Sequence, residues 1–253
     1  MRRTSRHSLI KELQTRFPRG APIHVSALEA AGISPKLSAR YVKSGWLLRL
    51  AHGIYAFPAD ELTTHGMVKL LQQHVSGMHV GGKSALAHQG VRHNLSTRDT
   101  LVLWGEVRFP LPPWFTSRQR ARYVYARLFD WPDQQLADST LITPPGVTPE
   151  IRVAAPERAA LEMLYDVGTR QGIEEARNLF EGLRNLRKDL IGRLLNCCTS
   201  VKAVRLFLTW ARETNLLDVD QLREQFTPRV GASNRRWIGR LPDGTLLTLK
   251  PYG

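Results

Sequence analysis

Hydrophobic positions near the amino terminus recur with helical spacing: Leu9, Ile10, Leu13 and Phe17 share one face of residues 5–17, and Pro18 stops the run. Ser26-Ala27-Leu28-Glu29 has a capping-box pattern and predicts a short second helix closing at Gly32. A third helix is predicted over residues 35–44. Ser34 suits its N-cap, Pro35 its first position, and Gly45 the left-handed position just past its end. Leu37, Tyr41 and Val42 should turn inward, and Lys36, Ser38, Ala39, Arg40 and Lys43 outward. The pattern then becomes that of a hairpin: residues 46–50 and 54–57 flank an Ala51-His52-Gly53 tip, and Pro58 ends the second strand. Tyr55 should pack beneath it. Helix, turn, helix and two-stranded wing, in that order, predict a winged helix-turn-helix over residues 1–62.

From residue 59 acidic and hydroxyl residues mark a boundary, and helical spacing resumes over residues 65–75 and again over 83–89. Strands are predicted over residues 100–104 and 122–128, separated by the turn Pro110-Leu111-Pro112-Pro113, and Thr143-Pro144-Pro145-Gly146 marks a further loop. Residues 151–154 read as a strand entering a helix at Pro156, with Glu157 in its first turn. The chain then stays helical to about residue 213, with breaks near Gly168, Gly182 and Thr199-Ser200. A hairpin around Pro242-Asp243-Gly244 is predicted within residues 235–250. The expected fold class is α+β: the winged helix, then a larger mixed α/β domain over residues 63–253 with a helical second half.

Charge sharpens this picture. The formal net charge of +14 calls for a polyanionic or acidic partner. Over residues 1–60 the basic set is Arg2, Arg3, Arg6, Lys11, Arg16, Arg19, Lys36, Arg40, Lys43 and Arg49, opposed only by Glu12, Glu29 and Asp60. The excess sits where a DNA-binding module would use it. On this reading Lys36, Ser38 and Arg40 approach base edges in the major groove, Lys43, Arg49 and His52 anchor phosphates, and Arg2, Arg3 and Arg6 form a basic arm. A second basic set comprises Arg184, Arg187, Lys188 and Arg193, with Lys202 and Arg205; it is either a solvated face or a further DNA-contacting surface. No run approaches the ~20 apolar residues of a membrane span, and the basic start is not followed by the apolar core of a signal peptide. The two cysteines, Cys197 and Cys198, are neighbours, make no disulfide framework, read as buried small apolar residues and suggest a reducing cytoplasm.

Two enzymatic patterns need weighing. Gly77-Met78-His79-Val80-Gly81-Gly82-Lys83-Ser84 formally satisfies the P-loop spacing. A working P-loop follows a buried strand, whereas Met67, Leu70, Leu71, His74 and Val75 carry helical spacing, and residues 101–104 lead to Gly105-Glu106 rather than to a magnesium-holding aspartate. Pro132-Asp133 with Glu150-Ile151-Arg152 outlines a nuclease metal site, but arginine stands where a lysine is needed and is a poor base. A nuclease or nucleotide-binding domain behind the winged helix is therefore the alternative reading. The eight histidines show no metal-binding spacing, and no catalytic residue, metal or cofactor is expected. Phe207 and Trp210 fall at helical spacing with Val204 and Ala211, as core residues do.

Four strings together resemble the AbiEi family, antitoxins of type IV toxin–antitoxin and abortive-infection systems that take part in phage defence. They are Gly45-Trp46-Leu47-Leu48-Arg49-Leu50-Ala51-His52-Gly53-Ile54-Tyr55, Gly82-Lys83-Ser84-Ala85-Leu86-Ala87-His88, Ala155-Pro156-Glu157-Arg158-Ala159-Ala160-Leu161-Glu162, and Ser200-Val201-Lys202-Ala203-Val204-Arg205-Leu206-Phe207-Leu208. The resemblance implies a non-enzymatic transcriptional autorepressor whose winged helix binds inverted repeats in its own promoter. It also implies that residues 63–253 counter a nucleotidyltransferase-like toxin without a stable complex. Members of the family are monomers in solution that load cooperatively on DNA.

Overall fold

The computed structural model describes residues 13, 15–92, 100–226, 236–240 and 244–250. In chain order its elements are β1 (Ile23–His24), α1 (Val25–Ala30), α2 (Pro35–Lys43), β2 (Leu48–Ala51), β3 (Ile54–Ala56), α3 (Thr64–His74), β4 (His79–Val80), α4 (Gly82–His88), β5 (Leu101–Gly105), α5 (Pro113–Thr116) and β6 (Ala121–Tyr125). There follow α6 (Gln134–Ser139), β7 (Leu141–Ile142), β8 (Val153–Ala154), α7 (Pro156–Asp166), α8 (Ile173–Glu181), α9 (Lys188–Cys197), α10 (Val201–Glu213), α11 (Val219–Gln225), β9 (Trp237–Arg240) and β10 (Leu246–Leu249). The mixed α and β content agrees with the expected class. Most of the helix predicted over residues 5–17 lies outside the described residues.

The chain forms two compact units, the first comprising residues 1–76, 111–119 and 145–151 and the second the remainder. The first unit thus runs past residue 62 and takes in α3. In it, β2 and β3 form the antiparallel wing with an irregularity between Arg49 and Ala51. A third strand, β1, pairs with β3 through Ile23 and Tyr55 and was not foreseen, because two residues carry no readable alternation. Its core gathers Leu13, Ile23, Leu28, Ile33, Tyr41, Leu47, Tyr55 and Phe57, so Tyr55 does pack beneath the wing. α3 is fastened to the same unit: the Thr63 amide donates to the Gly20 carbonyl at 2.8 Å, and Arg19 pairs with Asp60 at 2.6 Å. A Cβ on Gly66 would stand 2.3 Å from the Gly20 carbonyl, so glycine lets the two backbones meet.

The second unit is built on a five-stranded mixed sheet ordered β6-β5-β4-β8-β7, with β5 parallel to β6, antiparallel to β4, and β4 parallel to β8. α7 is buried on nearly all sides (Ala159, Ala160, Leu161, Met163 and Leu164), and α4 and α10 pack against it. A helix enclosed in this way must pair the charges it carries: Glu157 with Arg187, Arg158 with Glu162, and Asp166 with Arg122. Phe207 and Trp210 of α10 meet Phe180 edge-on at 5.4 and 5.6 Å, confirming their place in the core. The expected carboxy-terminal hairpin is β9 paired with β10. No described helix is long and apolar enough to cross a membrane.

Candidate nucleic-acid interface

α2 begins where the sequence places it. The Ser34 hydroxyl accepts from the Leu37 amide at 3.3 Å, and Pro35 occupies the first turn. Gly45 ends it at φ +74°, where a side chain would be strained. The amides of Trp46 and Leu47 then fold back on the Tyr41 carbonyl at 2.9 and 3.2 Å, which sets the wing directly beside the helix. Lys36, Ala39, Arg40 and Lys43 are exposed, and the three cations make no ion pair among the described residues. Arg40 and Lys43 also occupy the last turn, where positive charge suits the helix dipole.

Ser38 is a correction. Expected on the outer face, it is completely buried, and its hydroxyl has no hydrogen-bond partner among the described residues. Small size was read as room for a groove; it serves instead to let α2 lie close against the module's own core. Ser38 lies one helical turn from Ser34 and three residues before the buried Tyr41, on the inner stripe. It cannot reach a base edge from there.

The wing tip holds its two candidates together. Arg49 donates to Nδ1 of His52 at 3.2 Å and to the Ala51 carbonyl at 3.4 Å, and both side chains remain exposed. They form one polar cluster in place of two separate anchors. Arg2, Arg3 and Arg6 lie outside the described residues.

The second helix of the motif is capped differently from its predicted Ser26-x-x-Glu29 box. α1 starts two residues earlier, with His24 rather than Ser26 as its N-cap, and the Nδ1 of His24 accepts from the Ser26 amide at 3.3 Å. That role requires a bare Nδ1. Burial lowers the His24 pKa, the neighbouring His74 imidazole (ring centroids 4.3 Å apart) adds to the effect, and Glu29 opposes it.

In the second unit, groups that looked available for other chemistry are bound to the protein's own side chains. The amide of Gly82 donates to Glu162 at 2.9 Å, so the amino-terminal end of α4 already holds a carboxylate where a P-loop would hold phosphate. Lys83 pairs with Glu175 at 2.8 Å, and the Ser84 hydroxyl accepts from the Val102 amide at 2.9 Å. Asp133 caps α6, accepting from the Leu136 amide at 2.7 Å. The second basic set is broken up: Arg187 chelates Glu157 at 2.9 and 3.0 Å, Lys202 donates to the Val167 carbonyl at 2.6 Å, and Arg205 is buried. Among these residues Arg184, Arg187, Lys188 and Arg193 stay exposed, Arg187 while bound to Glu157. Both cysteines are buried thiols, and burial pushes Cys198 up to about 12.

Sequence reasoning missed the cluster that centres on Glu162. This fully buried carboxylate accepts from Arg158 at 2.8 Å and from the Gly82 amide, and lies within hydrogen-bond distance of Nε2 of His79 at 2.7 Å. Burial alone would raise the Glu162 pKa; His79 and Arg158 outweigh it and hold the group below the ordinary carboxylate value. The i, i+4 pairing of Arg158 with Glu162 is a visible signal, but His79 lies 83 residues away.

Residues 98–248 match the family described as transcriptional regulator, AbiEi antitoxin, type IV toxin–antitoxin system, and residues 6–97 match its AbiEi antitoxin N-terminal domain. The chain belongs to the AbiEi antitoxin family. It is therefore a transcriptional regulator and antitoxin of the type IV class. A crystal structure of the RV2827C protein from Mycobacterium tuberculosis is similar at 15% identity, covering 91% of this chain and 87% of that one, with a TM-score of 0.59. At that identity the likeness concerns the fold. No curated protein matches. In this AbiEi chain the cations of α2, exposed and without an ion pair among the described residues, fall within the matched N-terminal domain; Glu162 and Arg158 fall within residues 98–248, and their partners His79 and Gly82 within residues 6–97.

Proposed function

We propose that this AbiEi antitoxin represses its own promoter by laying α2 into the major groove of inverted repeats. Lys36 and Arg40 meet base edges, while Lys43 and the Arg49–His52 cluster meet phosphates. Arg2, Arg3 and Arg6 add a largely sequence-independent basic arm. Residues 1–62 carry DNA binding and residues 63–253 carry the antitoxin activity. The partner countered there is a nucleotidyltransferase-like toxin, and the two proteins form no stable complex. The chain acts in the cytoplasm as a monomer that loads cooperatively on paired sites. One observation carries the reading: three cations stand exposed, without an ion pair among the described residues, on a helix with a wing folded against its end.

The test is binding of full-length variants to the promoter repeats and to random duplex. Arg40→Ala should cost about 1–3 kcal/mol on the repeats and relax preference at one base. Lys43→Ala should weaken both duplexes alike and flatten the salt slope by about one unit. Ser38→Ala should leave binding unchanged. Equal losses on both duplexes for Arg40→Ala and Lys43→Ala would reject this division of roles. Growth rescue of cells expressing a nucleotidyltransferase-like toxin from the same operon tests the antitoxin half.

A further inference from the structure

β6 lies at one edge of the five-stranded sheet, and alternate residues along it share a face. Arg122 belongs to the side that pairs with Asp166. Tyr123 and Tyr125 belong to the other, two residues apart on one extended strand. Gly105, opposite Tyr125 in register, makes room for this face: a Cβ there would stand 2.2 Å from the Tyr123 hydroxyl. The following loop is drawn over the same surface. The Tyr123 hydroxyl donates to the Val107 carbonyl at 2.7 Å, Phe109 meets the Tyr123 ring edge-on at 6.2 Å, and the Arg108 guanidinium sits 5.7 Å from the Tyr125 centroid.

The patch is open. Tyr125 is 53% and Val107 49% exposed, among the most exposed large apolar residues described, and the Arg127 side chain is 83% exposed. Arg127 is only 4.0 Å from Glu106, whose other oxygen accepts from the Trp131 indole at 3.0 Å. Exposed apolar residues that adjoin one another, as Tyr125 and Val107 do on this face, mark interaction sites, and the cations beside them bias the choice of partner. A duplex presents phosphates and bases already paired and stacked, whose faces are closed to an aromatic side chain. Unpaired bases stack on aromatic faces, and adjacent guanidinium groups take the phosphates between them. Two aromatics one strand repeat apart, roughly 6.5–7 Å along β6, suit two successive bases of an extended strand.

We infer that the Tyr123–Tyr125 face, with Phe109, Arg108 and Arg127, binds single-stranded RNA by stacking bases on the tyrosines and holding phosphates with the arginines. Unpaired strands in a cell are mostly RNA, and the site is separate from the α2 surface assigned to duplex DNA.

The test uses the full chain carrying Lys36→Ala and Arg40→Ala, so that binding through α2 is suppressed. Fluorescence anisotropy follows a labelled RNA of roughly 12 nucleotides, within the usual footprint of such platforms, beside the same sequence as single-stranded DNA and as blunt duplex. RNA should bind best. Tyr125→Ala should weaken it about 5- to 160-fold, the range of one lost stacking contact. Tyr125→Phe should stay within about twofold, since the ring rather than the hydroxyl stacks. Arg127→Ala should reduce the salt slope by about 0.7, one phosphate on a single strand. Tyr125 is exposed, so unchanged thermal melting should accompany the loss. Equal affinity for single-stranded DNA overturns the assignment to RNA. Indifference to Tyr125→Ala, or displacement by polyglutamate as readily as by RNA, overturns the site and leaves a surface for an acidic protein.

Discussion

In the amino-terminal unit Lys36, Arg40 and Lys43 project from α2 without an ion pair among the described residues, whereas in the second unit Arg122, Arg158 and Arg187 are each closed onto a carboxylate. Both units draw on the same surplus of arginine and lysine, but they use it in opposite ways. Where acids stand opposite the cations, the charge is internal and serves the fold. Where none does, charge remains for a ligand. A residue count cannot separate the two cases, because the acids that neutralise the second unit come from far away in sequence: Lys83 meets Glu175, and Arg187 meets Glu157. The net charge therefore points to the first unit for a polyanion more strongly than a uniform basic composition would.

The comparison breaks most visibly at Glu162. Glu162→Gln removes the charge that Arg158, His79 and the Gly82 amide converge on, leaving a buried guanidinium with a neutral partner. Urea unfolding should show a loss on the order of 3–5 kcal/mol, the cost of breaking a buried pair from one side. A loss below about 1 kcal/mol would mean that the cluster is not what organises the second unit. Lys36→Ala in the other unit should leave stability nearly unchanged, since an exposed, unpaired cation contributes little to the fold.

Much of this contrast was readable from the sequence and part was not. The Ser34 cap, Pro35, Gly45 and the hairpin are local, so three or four residues suffice to place them. Both strands of the second unit's edge, Leu101–Gly105 and Ala121–Tyr125, were also visible, though their parallel pairing was not. The two-residue strands β1, β4 and β7 escaped notice because alternation needs length, whereas β8 was foreseen within residues 151–154 from the helix start that follows it. Ser38 went wrong for a different reason. Serine is compatible with either face of a helix, and only packing against the core decides between them. Arg205 shows the same ambiguity in a charged residue: it reads as solvated by type but is buried in α10. The short helices α5, α6 and α11 were also not foreseen.

Acid should act on the second unit through Glu157. Burial raises this carboxyl's pKa, but two side-chain hydrogen bonds and an amide hydrogen bond from Arg187 outweigh it and bring it below the ordinary 4.5. A depressed carboxylate stabilises the fold above its unfolded pKa, and the benefit disappears as pH falls through the folded value. Glu157→Gln should therefore cost about 1–2 kcal/mol near neutrality, with the exposed Arg187 limiting the figure. The gap between wild type and variant should close as the pH drops below 4.5. A gap that persists unchanged to the lowest pH at which the chain stays folded would assign the effect to shape instead of charge.

The smallest effect belongs to the first unit and has the same sign through a different group. His24 caps α1 only while Nδ1 is unprotonated, and burial and His74 lower its pKa from the ordinary 6.5. The neutral cap thus contributes stability that is present above pH 6.5 and lost as the pH falls through the lowered value. The groups that bear on it are His74, which disfavours the charge, and Glu29, which favours it. Protonation would place an N–H against the Ser26 amide and a cation against the His74 ring, loosening the helix that precedes α2. His24→Asp retains an acceptor at the cap and stays ionised well below pH 6. Thermal melts of the wild type should fall between pH 7 and pH 5 by no more than about 0.5 kcal/mol, the low end for a helix cap. The aspartate variant should lose less over that interval. Parallel melting curves for the two chains would show that the cap does not respond to acid, and would leave Glu157 and its fellow carboxylates as the source of any acid sensitivity.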